Sequence, residues 1–272
     1  MNFINPAPSI LQSKKLYIFD MDGTIYLGNC VFPFAVRFIQ NLRKNGKQVL
    51  FFTNNASHDP AFYLEKLNRL GFAATAQEIM TSGDVTAEFL LRHRAQKSVY
   101  LVGTNELVNN FREKGIPLLN GKEESADIVV TSFDTTLTYE KLDNACRFVR
   151  NGAEYLSTHP DFNCPTETGF LPDSGAIAAF VTASTGVTPT YFGKPYRETL
   201  DMICEATGHA KEEMCVFGDR LYTDIALGRR HGVTSVLVLS GETKPSDVDA
   251  AAPEDRPDFV YEDLDGVDRD LF

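Results

Sequence analysis

Four short polar segments of the sequence contain the residue types that phosphoryl chemistry requires. They are DMDGT at residues 20–24, TNN at 53–55, GKP at 193–195 and GDRLYTD at 218–224. A carboxylate can attack phosphorus and so divide hydrolysis into the formation and the breakdown of an aspartyl-phosphate. A second carboxyl group nearby can protonate the leaving oxygen and later deprotonate the attacking water. Asp20 and Asp22 fit these two roles, because Gly23 allows the sharp turn that brings both to one site.

The remaining residues of these segments are suited to hold a metal ion and a phosphoryl group. Mg²⁺ keeps several of its waters, so one or two carboxylates and the substrate phosphate complete its shell. Asp20 and Asp219 can supply those carboxylates. Thr53 and Lys194 would hold the phosphoryl oxygens and offset their charge. The four segments together predict phosphoryl transfer that depends on Mg²⁺.

Apolar runs that alternate with amphipathic stretches must position these segments. The predicted strands cover residues 16–19, 49–52, 99–102, 128–130, 190–192, 214–217 and 236–239. One helix is predicted from the helical spacing of apolar residues over 34–46, and another begins at the pair Asp59 and Pro60 and runs to Gly71. This alternation is typical of an α/β fold with a doubly wound, mainly parallel sheet. Such sheets bind ligands at the carboxyl ends of their strands, which is where the polar segments lie.

Each segment also has an ordinary structural interpretation when it is taken alone. DMDGT and TNN could simply end strands in turns, since Asp, Asn and Thr are common turn residues. In GDRLYTD, Thr223 and Asp224 could be the cap and the first-turn acid of a helix. The occurrence of all four segments in this order, each after an apolar strand, favours the chemical interpretation.

Composition limits the partners and the compartment. The chain has 272 residues, and 37 acidic against 26 basic residues give a net charge of −11, which argues against a nucleic-acid partner. No apolar run approaches the ~18 residues of a membrane span, so no membrane partner is expected. The five cysteines form no C-x-x-C pair, which predicts neither a disulfide framework nor a zinc site and favours the cytoplasm.

In this order the four segments resemble those of the haloacid-dehalogenase-like (HAD) phosphohydrolases, within them the branch of 4-nitrophenylphosphatase-like and N-acetylglucosamine-operon-type phosphatases. The resemblance extends from residue 16 to about residue 239 and implies a Rossmann-like core. It implies that Asp20 is the nucleophile and Asp22 the general acid and base. Thr53 and Lys194 match the second and third motifs of the family.

The resemblance also implies a set of metal ligands and a set of substrate-binding residues. The metal would be held by the side chain of Asp20, the backbone carbonyl of Asp22 and the acid Asp219, whereas Asp224 more often acts in the outer shell. The residues assigned to phosphate or substrate binding are Gly23, Asn54, Asn55, His159 and Asp161.

A long insertion is a second part of the resemblance. About 140 residues separate Thr53 from Lys194, far more than a crossover connection needs. Family members with an insertion here carry an α/β cap domain, so we predict a cap over 84–188 and a discontinuous core over 1–83 and 189–272. The loops THPD at 158–161 and PDSG at 172–175 resemble loops that the cap directs at the site. Many relatives have Asn in place of His159, and a histidine in a turn is the alternative to a ligand there.

The resemblance implies a phosphatase that releases inorganic phosphate from a small phosphorylated metabolite, such as a sugar phosphate, or from 4-nitrophenyl phosphate. Dehalogenases of the superfamily lack the second aspartate, so Asp22 argues against that activity. The alternative is a non-enzymatic binding or regulatory protein on the same fold. The loss of Asp20, Asp22, Lys194 or Asp219 would favour that alternative, and all four are present. The cap also commonly pairs subunits in this branch, which makes a homodimer through the cap an expectation.

Overall fold

The computed structural model describes residues 3–166 and 169–272, and they divide into two compact units. Unit 1 contains Met1–Thr53, Pro60–Met80 and Lys194–Phe272, and unit 2 contains Asn54–Asp59 and Thr81–Gly193. The predicted cap, 84–188, lies inside unit 2, which also takes in the short segment after Thr53. That unit 2 acts as a cap stays a prediction.

Short strands and helices alternate along both units. The strands are β1 (Leu16–Phe19), β2 (Tyr26–Leu27), β3 (Cys30–Val31), β4 (Gln48–Thr53), β5 (Ile79–Thr81), β6 (Val99–Val102), β7 (Ile128–Thr131), β8 (Glu154–Ser157), β9 (Asn163–Thr166), β10 (Gly169–Pro172), β11 (Thr190–Tyr191), β12 (Met214–Gly218), β13 (Thr234–Val238) and β14 (Phe259–Tyr261). The α-helices are α1 (Ser9–Gln12), α2 (Ala35–Lys44), α3 (Pro60–Arg69), α4 (Ser82–His93), α5 (Asn105–Glu113), α6 (Tyr139–Arg150), α7 (Ser174–Thr185), α8 (Arg197–Thr207), α9 (Ala226–His231), α10 (Pro245–Ala250) and α11 (Leu264–Leu271). A π-helical turn, Leu221–Ile225, precedes α9.

Unit 1 is built on a six-stranded sheet with the order β14-β13-β12-β1-β4-β5. The pairs from β14 to β4 are all parallel, with β1 in contact with β12 on one side and β4 on the other. The antiparallel hairpin of β2 and β3 leaves the end of β1. The predicted α/β architecture with a mainly parallel sheet is therefore confirmed.

The core of unit 1 explains why β1 has no charged residue. All four residues of β1 are buried, as expected for a central strand with both faces covered. Phe19 stacks on Phe217 of β12 with ring centroids 4.7 Å apart, and Phe38 of α2 packs 6.0 Å from each of these rings. The apolar spacing predicted over 34–46 is thus the face that α2 turns toward the sheet.

Unit 2 has its own parallel sheet and its own core. Four strands in the order β11-β8-β7-β6 pair in parallel, and β9 and β10 form a separate antiparallel hairpin. Strands β6 and β7 are wholly buried. Tyr100 of β6 packs against Phe148 of α6 with ring centroids 5.1 Å apart.

The register of unit 1 brings three strand ends to one edge of the sheet. Phe19 lies opposite Phe51 of β4 and Phe217 of β12, and all three strands end within two residues of this level of the sheet. The backbone N–H of Asp20 donates to the carbonyl of Phe217 at 2.9 Å, which continues the pairing one residue beyond β1. Within the described ranges, no helix has the length and apolar character that crossing a membrane requires.

Phe217→Ala is expected to lower the free energy of unfolding by about 3–5 kcal/mol, because it removes a fully buried ring and leaves a cavity between β1 and α2. Urea denaturation followed by circular dichroism measures the change. Phe272→Ala is the matched control, since that ring is about half exposed at the end of the chain. Equal losses in the two variants would contradict the stated packing of Phe217.

Candidate active site

The segment after β1 forms a tight loop whose shape depends on Gly23. The backbone N–H of Gly23 donates to the carbonyl of Tyr26 at 2.8 Å and closes the loop. Gly23 has a φ of +94°, which residues with a side chain rarely adopt. A Cβ at this position would also lie 2.5 Å from Oδ2 of Asp219. Glycine therefore serves both the turn and the close approach of a carboxylate.

Three carboxylates meet beside this loop. One oxygen each from Asp20, Asp219 and Asp224 lies within 4.8 Å of the others, and the latter two side chains are buried. The side chain of Asp22 is exposed and, among the described residues, is not part of this cluster. The assignment of Asp22 as a ligand concerned its backbone carbonyl and stays a prediction.

Lys194 provides a buried positive charge within the cluster. Its Nζ contacts Oδ1 of Asp20 and lies 2.7 Å from Oδ1 of Asp224. Burial alone would lower the pKa of Lys194, but the charges of Asp20 and Asp224 outweigh burial and raise it. The ammonium group is therefore held in its charged form between the two carboxylates.

The carboxylate of Asp219 has one oxygen that the protein does not satisfy. Its Oδ2 accepts a hydrogen bond of 2.7 Å from the backbone N–H of Glu242. Its Oδ1 is buried and has no hydrogen-bond partner within the part of the chain that the structure describes. A buried, charged oxygen without a partner is costly, and a bound cation would satisfy it.

The electrostatics of the cluster also favour a cation. Burial raises the pKa of Asp20 to about 7, against the charge of Lys194 and with the help of Asp224 and Asp219. Burial and the charge of Asp224 raise the pKa of Asp219 to about 6. A divalent cation would lower both values, and a donor set made only of oxygens suits a hard ion such as Mg²⁺ or Ca²⁺.

A fifth polar segment, SGET at residues 240–243, belongs to the site and was missed by sequence reasoning. The hydroxyl of Ser240 donates to the carbonyl of Gly23 at 3.0 Å, and Glu242 holds Asp219 through its backbone. A Cβ at Gly241 would lie 2.0 Å from Oδ2 of Asp219. The segment follows the apolar run 236–239, so the rule that found the other four segments would have found it too.

Unit 2 contains the predicted phosphate- or substrate-binding residues that follow β4 in the sequence, which are Asn54, Asn55, His159 and Asp161. Nδ2 of Asn54 donates to Oδ2 of Asp161 at 3.0 Å. Oδ1 of Asn55 accepts from the backbone N–H and the hydroxyl of Ser57, at 3.0 and 2.7 Å. His159 is completely buried in the same unit. Thr53 ends β4 in unit 1 and is partly buried.

Comparisons with known proteins agree with this arrangement of motifs. Residues 17–117 match a family model described as haloacid dehalogenase-like hydrolase, and residues 191–267 match a HAD-hydrolase-like model. The acid sugar phosphatase of Staphylococcus saprophyticus is 34% identical over 96% of this chain and 99% of its own length. The 5'-nucleotidase YutF of Bacillus subtilis is 34% identical over 86% of this chain and 90% of its own. The crystal structure of a 4-nitrophenylphosphatase from Thermotoga maritima has a TM-score of 0.90 at 40% identity, covering 97% of this chain and 99% of that one.

Gly241→Ala is expected to weaken the binding of a divalent cation by about 10- to 100-fold, with Mg²⁺ as the probe, because the added Cβ would displace the carboxylate of Asp219. The Mg²⁺ concentration that gives half of the maximal rise in melting temperature measures the change. Gly266→Ala on α11 is the matched control, since the three atoms nearest to its Cβ would all belong to the side chain of Tyr261, at 3.1 Å or more. An unchanged Mg²⁺ dependence in Gly241→Ala would exclude Asp219 from the metal site.

Proposed function

The chain belongs to the haloacid dehalogenase-like hydrolase family, and from this we propose that it hydrolyses small phosphomonoesters with Mg²⁺ through an aspartyl-phosphate on Asp20. As a phosphoric monoester hydrolase it shares its class with relatives named as phosphatases and as a 5'-nucleotidase. The observation that carries the mechanism is the buried cluster in which Asp20 contacts Lys194 beside Asp219 and Asp224.

In the first half of the reaction, a carboxylate oxygen of Asp20 attacks the phosphorus of the monoester. The bond between phosphorus and the ester oxygen breaks, and Asp22 donates its proton to the leaving oxygen. The products of this half are an alcohol and a mixed anhydride on Asp20. The tight loop closed at Gly23 supports these roles, since it keeps two carboxyl groups that are two residues apart at the end of one strand.

In the second half, the carboxylate of Asp22 removes a proton from a water molecule as the water attacks the phosphorus. The bond between phosphorus and the Asp20 oxygen breaks and releases inorganic phosphate. Asp20 is again a carboxylate and Asp22 again carries a proton, so both are ready for another turnover. The exposure of Asp22 favours this role, because it must meet both a leaving group and water.

Positive charge around the phosphoryl group is the remaining requirement. Lys194 would stabilise the phosphoryl oxygens as charge develops on them, and Thr53 would donate to them. Asp20, Asp219 and the backbone carbonyl of Asp22 would hold Mg²⁺, which offsets the charge of the phosphoryl oxygens when it is bound. The carboxylate of Asp224 contacts Lys194 and accepts a hydrogen bond of 3.1 Å from the backbone N–H of Arg220. These contacts support a role for Asp224 in the outer coordination shell of the metal and not as a direct ligand.

The proposed substrates are small phosphorylated metabolites, since the relatives are named for a sugar phosphate, a 5'-nucleotide and 4-nitrophenyl phosphate. The cytoplasm is the proposed compartment, since the five cysteines of the sequence include no C-x-x-C pair that would indicate a disulfide framework. A homodimer formed through unit 2 stays a prediction.

Asp20→Asn is expected to lower the release of phosphate from 4-nitrophenyl phosphate by about 10³-fold or more, because an amide is a very poor nucleophile. The melting temperature should stay near that of the wild type, since the side chain keeps its shape. Wild-type enzyme dialysed against EDTA and then given Mg²⁺ is the control for the metal. Activity of Asp20→Asn within tenfold of wild type would rule out Asp20 as the nucleophile, and no activity in the wild type would favour the non-enzymatic alternative.

Asp22→Asn is expected to lower kcat by about 10²- to 10⁴-fold for esters with alkoxide leaving groups, because it removes the proton donor. The loss should be smaller for 4-nitrophenyl phosphate, whose leaving group needs less protonation. Rates for the two substrate types, measured side by side, test this difference. An equal kcat in variant and wild type for the alkyl esters would remove Asp22 from the mechanism.

A further inference from the structure

The ring of His159 lies at the centre of a buried polar network in unit 2. Its side chain is 0% exposed, although the loop THPD that carries it was predicted to face substrate. Nε2 lies 2.8 Å from Oδ1 of Asp173, which is the N-cap of α7. Nδ1 lies 3.0 Å from the hydroxyl of Thr158 and 3.3 Å from the hydroxyl of Ser82. Both ring nitrogens are therefore engaged inside the protein.

The hydrogen bonds of the hydroxyl groups indicate the protonation state of this ring. The hydroxyl of Ser82 donates to the carbonyl of Asn54 at 2.5 Å, and the hydroxyl of Thr158 donates to Oγ of Ser132 at 2.9 Å. Each hydroxyl has one proton, so both can only accept from Nδ1 of His159. The carboxylate of Asp173 likewise accepts from Nε2. This hydrogen-bond pattern has an acceptor at each ring nitrogen, which is the arrangement that suits an imidazolium.

The charges around the ring are also consistent with an imidazolium. Burial alone would lower the pKa of His159, but the hydrogen bond and charge of Asp173, together with the charge of Asp161, raise it above its ordinary value. A buried ion pair is costly to break when one partner is removed, because the other charge is left without compensation. The contact between His159 and Asp173 is therefore expected to stay intact in the folded protein and to hold the segments that carry the two residues together.

The pair of His159 and Asp173 joins the loops THPD and PDSG, which resemble substrate loops of the family. The backbone N–H of Gly175 donates to the carbonyl of Asp161 at 2.8 Å, and that of Asp173 donates to the carbonyl of Phe162 at 2.9 Å. A Cβ at Gly175 would lie 2.1 Å from the carbonyl oxygen of Pro160, so glycine is required for the loops to approach. THPD and PDSG are thus one rigid element.

The same network holds Asn54, the residue directly after Thr53. Ser82 binds the backbone carbonyl of Asn54, and Asp161 binds its side-chain amide. A Cβ at Gly193 would lie 2.7 Å from both Oδ1 of Asn54 and Cβ of His159, so these groups are packed tightly together. Asn54 is fixed from two sides by groups that also surround His159.

We propose that His159 is a positioning residue and not a substrate ligand: a buried imidazolium, paired with Asp173, that fixes Asn54 through Ser82 and fixes Asp161 through its own loop. The kinetic part of this proposal rests on the proposed phosphatase function, because Asn54 and Asp161 are the residues through which His159 would act. The protonation part rests only on the geometry of unit 2.

Protonation is tested by NMR on the full chain labelled with ¹⁵N-histidine. At pH 8, above the ordinary pKa of about 6.5, His159 is expected to show two ring N–H protons that exchange slowly. Its signals are assigned by replacing each of the other four histidines, so that the assignment does not require a His159 variant to fold. A single ring N–H at this pH, the mark of a neutral ring, would overturn the proposal.

The pairing is tested by His159→Gln, Asp173→Asn and the double variant. If the pair is charged, Asp173→Asn leaves a buried cation alone, and the double variant, which contains two neutral amides, should be more stable than that single variant. The midpoints of urea denaturation measure the difference. A double variant that is less stable than Asp173→Asn by the full effect of His159→Gln would show independent residues and contradict the pair.

Positioning is tested by Ser82→Ala, which cuts the connection to Asn54 and leaves the ion pair in place. KM for 4-nitrophenyl phosphate is expected to rise about fivefold or more while kcat stays within about twofold, since the substrate-binding residues shift and the reacting groups do not. Thr86→Val is the matched control, because it removes another buried hydroxyl of α4, one that donates to the carbonyl of Ser82 at 2.8 Å. An unchanged KM in Ser82→Ala would overturn the positioning role. If the wild type has no phosphatase activity, the proposed function fails, whereas the NMR and stability results still decide the state of His159.

Discussion

Repulsion among three carboxylates is the constraint around which unit 1 is built. Asp20, Asp219 and Asp224 are held within 4.8 Å of one another, and two of them are almost completely buried. Lys194 offsets part of this charge, and the pKa values of Asp20 and Asp219 are raised mainly by burial, to which the charges of the neighbouring carboxylates add. A fold retains such an arrangement only where the stability of the surrounding sheet exceeds its cost. The aromatic packing of Phe19 against Phe217, directly before Asp20 and Gly218, places that stability next to the site.

Glycines make the close approach of these charges possible. Gly23, Gly218 and Gly241 surround the acidic side chains, and a Cβ at any of them would lie 2.0 to 2.5 Å from an atom of Asp219 or Asp224. The side chains of Asp219 and Asp224 are therefore packed closely against the backbone of these glycines, which leaves them little room to move apart. An enclosure of this kind holds the oxygens in place before a cation arrives, so little ordering is left for the moment of binding.

Much of this arrangement could be predicted from the sequence because its signals are local. An apolar run of four residues followed by a polar break indicates a strand end; β1 ends at the predicted residue, and β4 and β12 each end one residue later than predicted. The helices predicted over 34–46 and from Pro60 correspond to α2 and α3. The segment 240–243 also follows an apolar run, but it was missed because its residues are ordinary turn residues and none of them is a carboxylate or lysine assigned a chemical role. The network of His159 could not be predicted from the sequence. Ser82 lies 77 residues and Asp173 14 residues from His159, and only the tertiary fold brings them into hydrogen-bond contact with its ring.

The order of β1 and β12 in the sheet has a consequence for how the chain is synthesised. Leu16 of β1 pairs with Met214 of β12. Because β12 leaves the ribosome about 200 residues after β1, this strand pair can form only late in synthesis. Most of unit 2 is the continuous segment Thr81–Gly193, and its sheet can form from that segment while the C-terminal part of the chain is still being made. The carboxylates of Asp219 and Asp224 come later still, which makes the acidic cluster one of the last features to assemble. The order of synthesis therefore makes all of unit 2 available for folding before Asp219 and Asp224 exist, and the charges of the acidic cluster come together only when the strands that enclose them are complete.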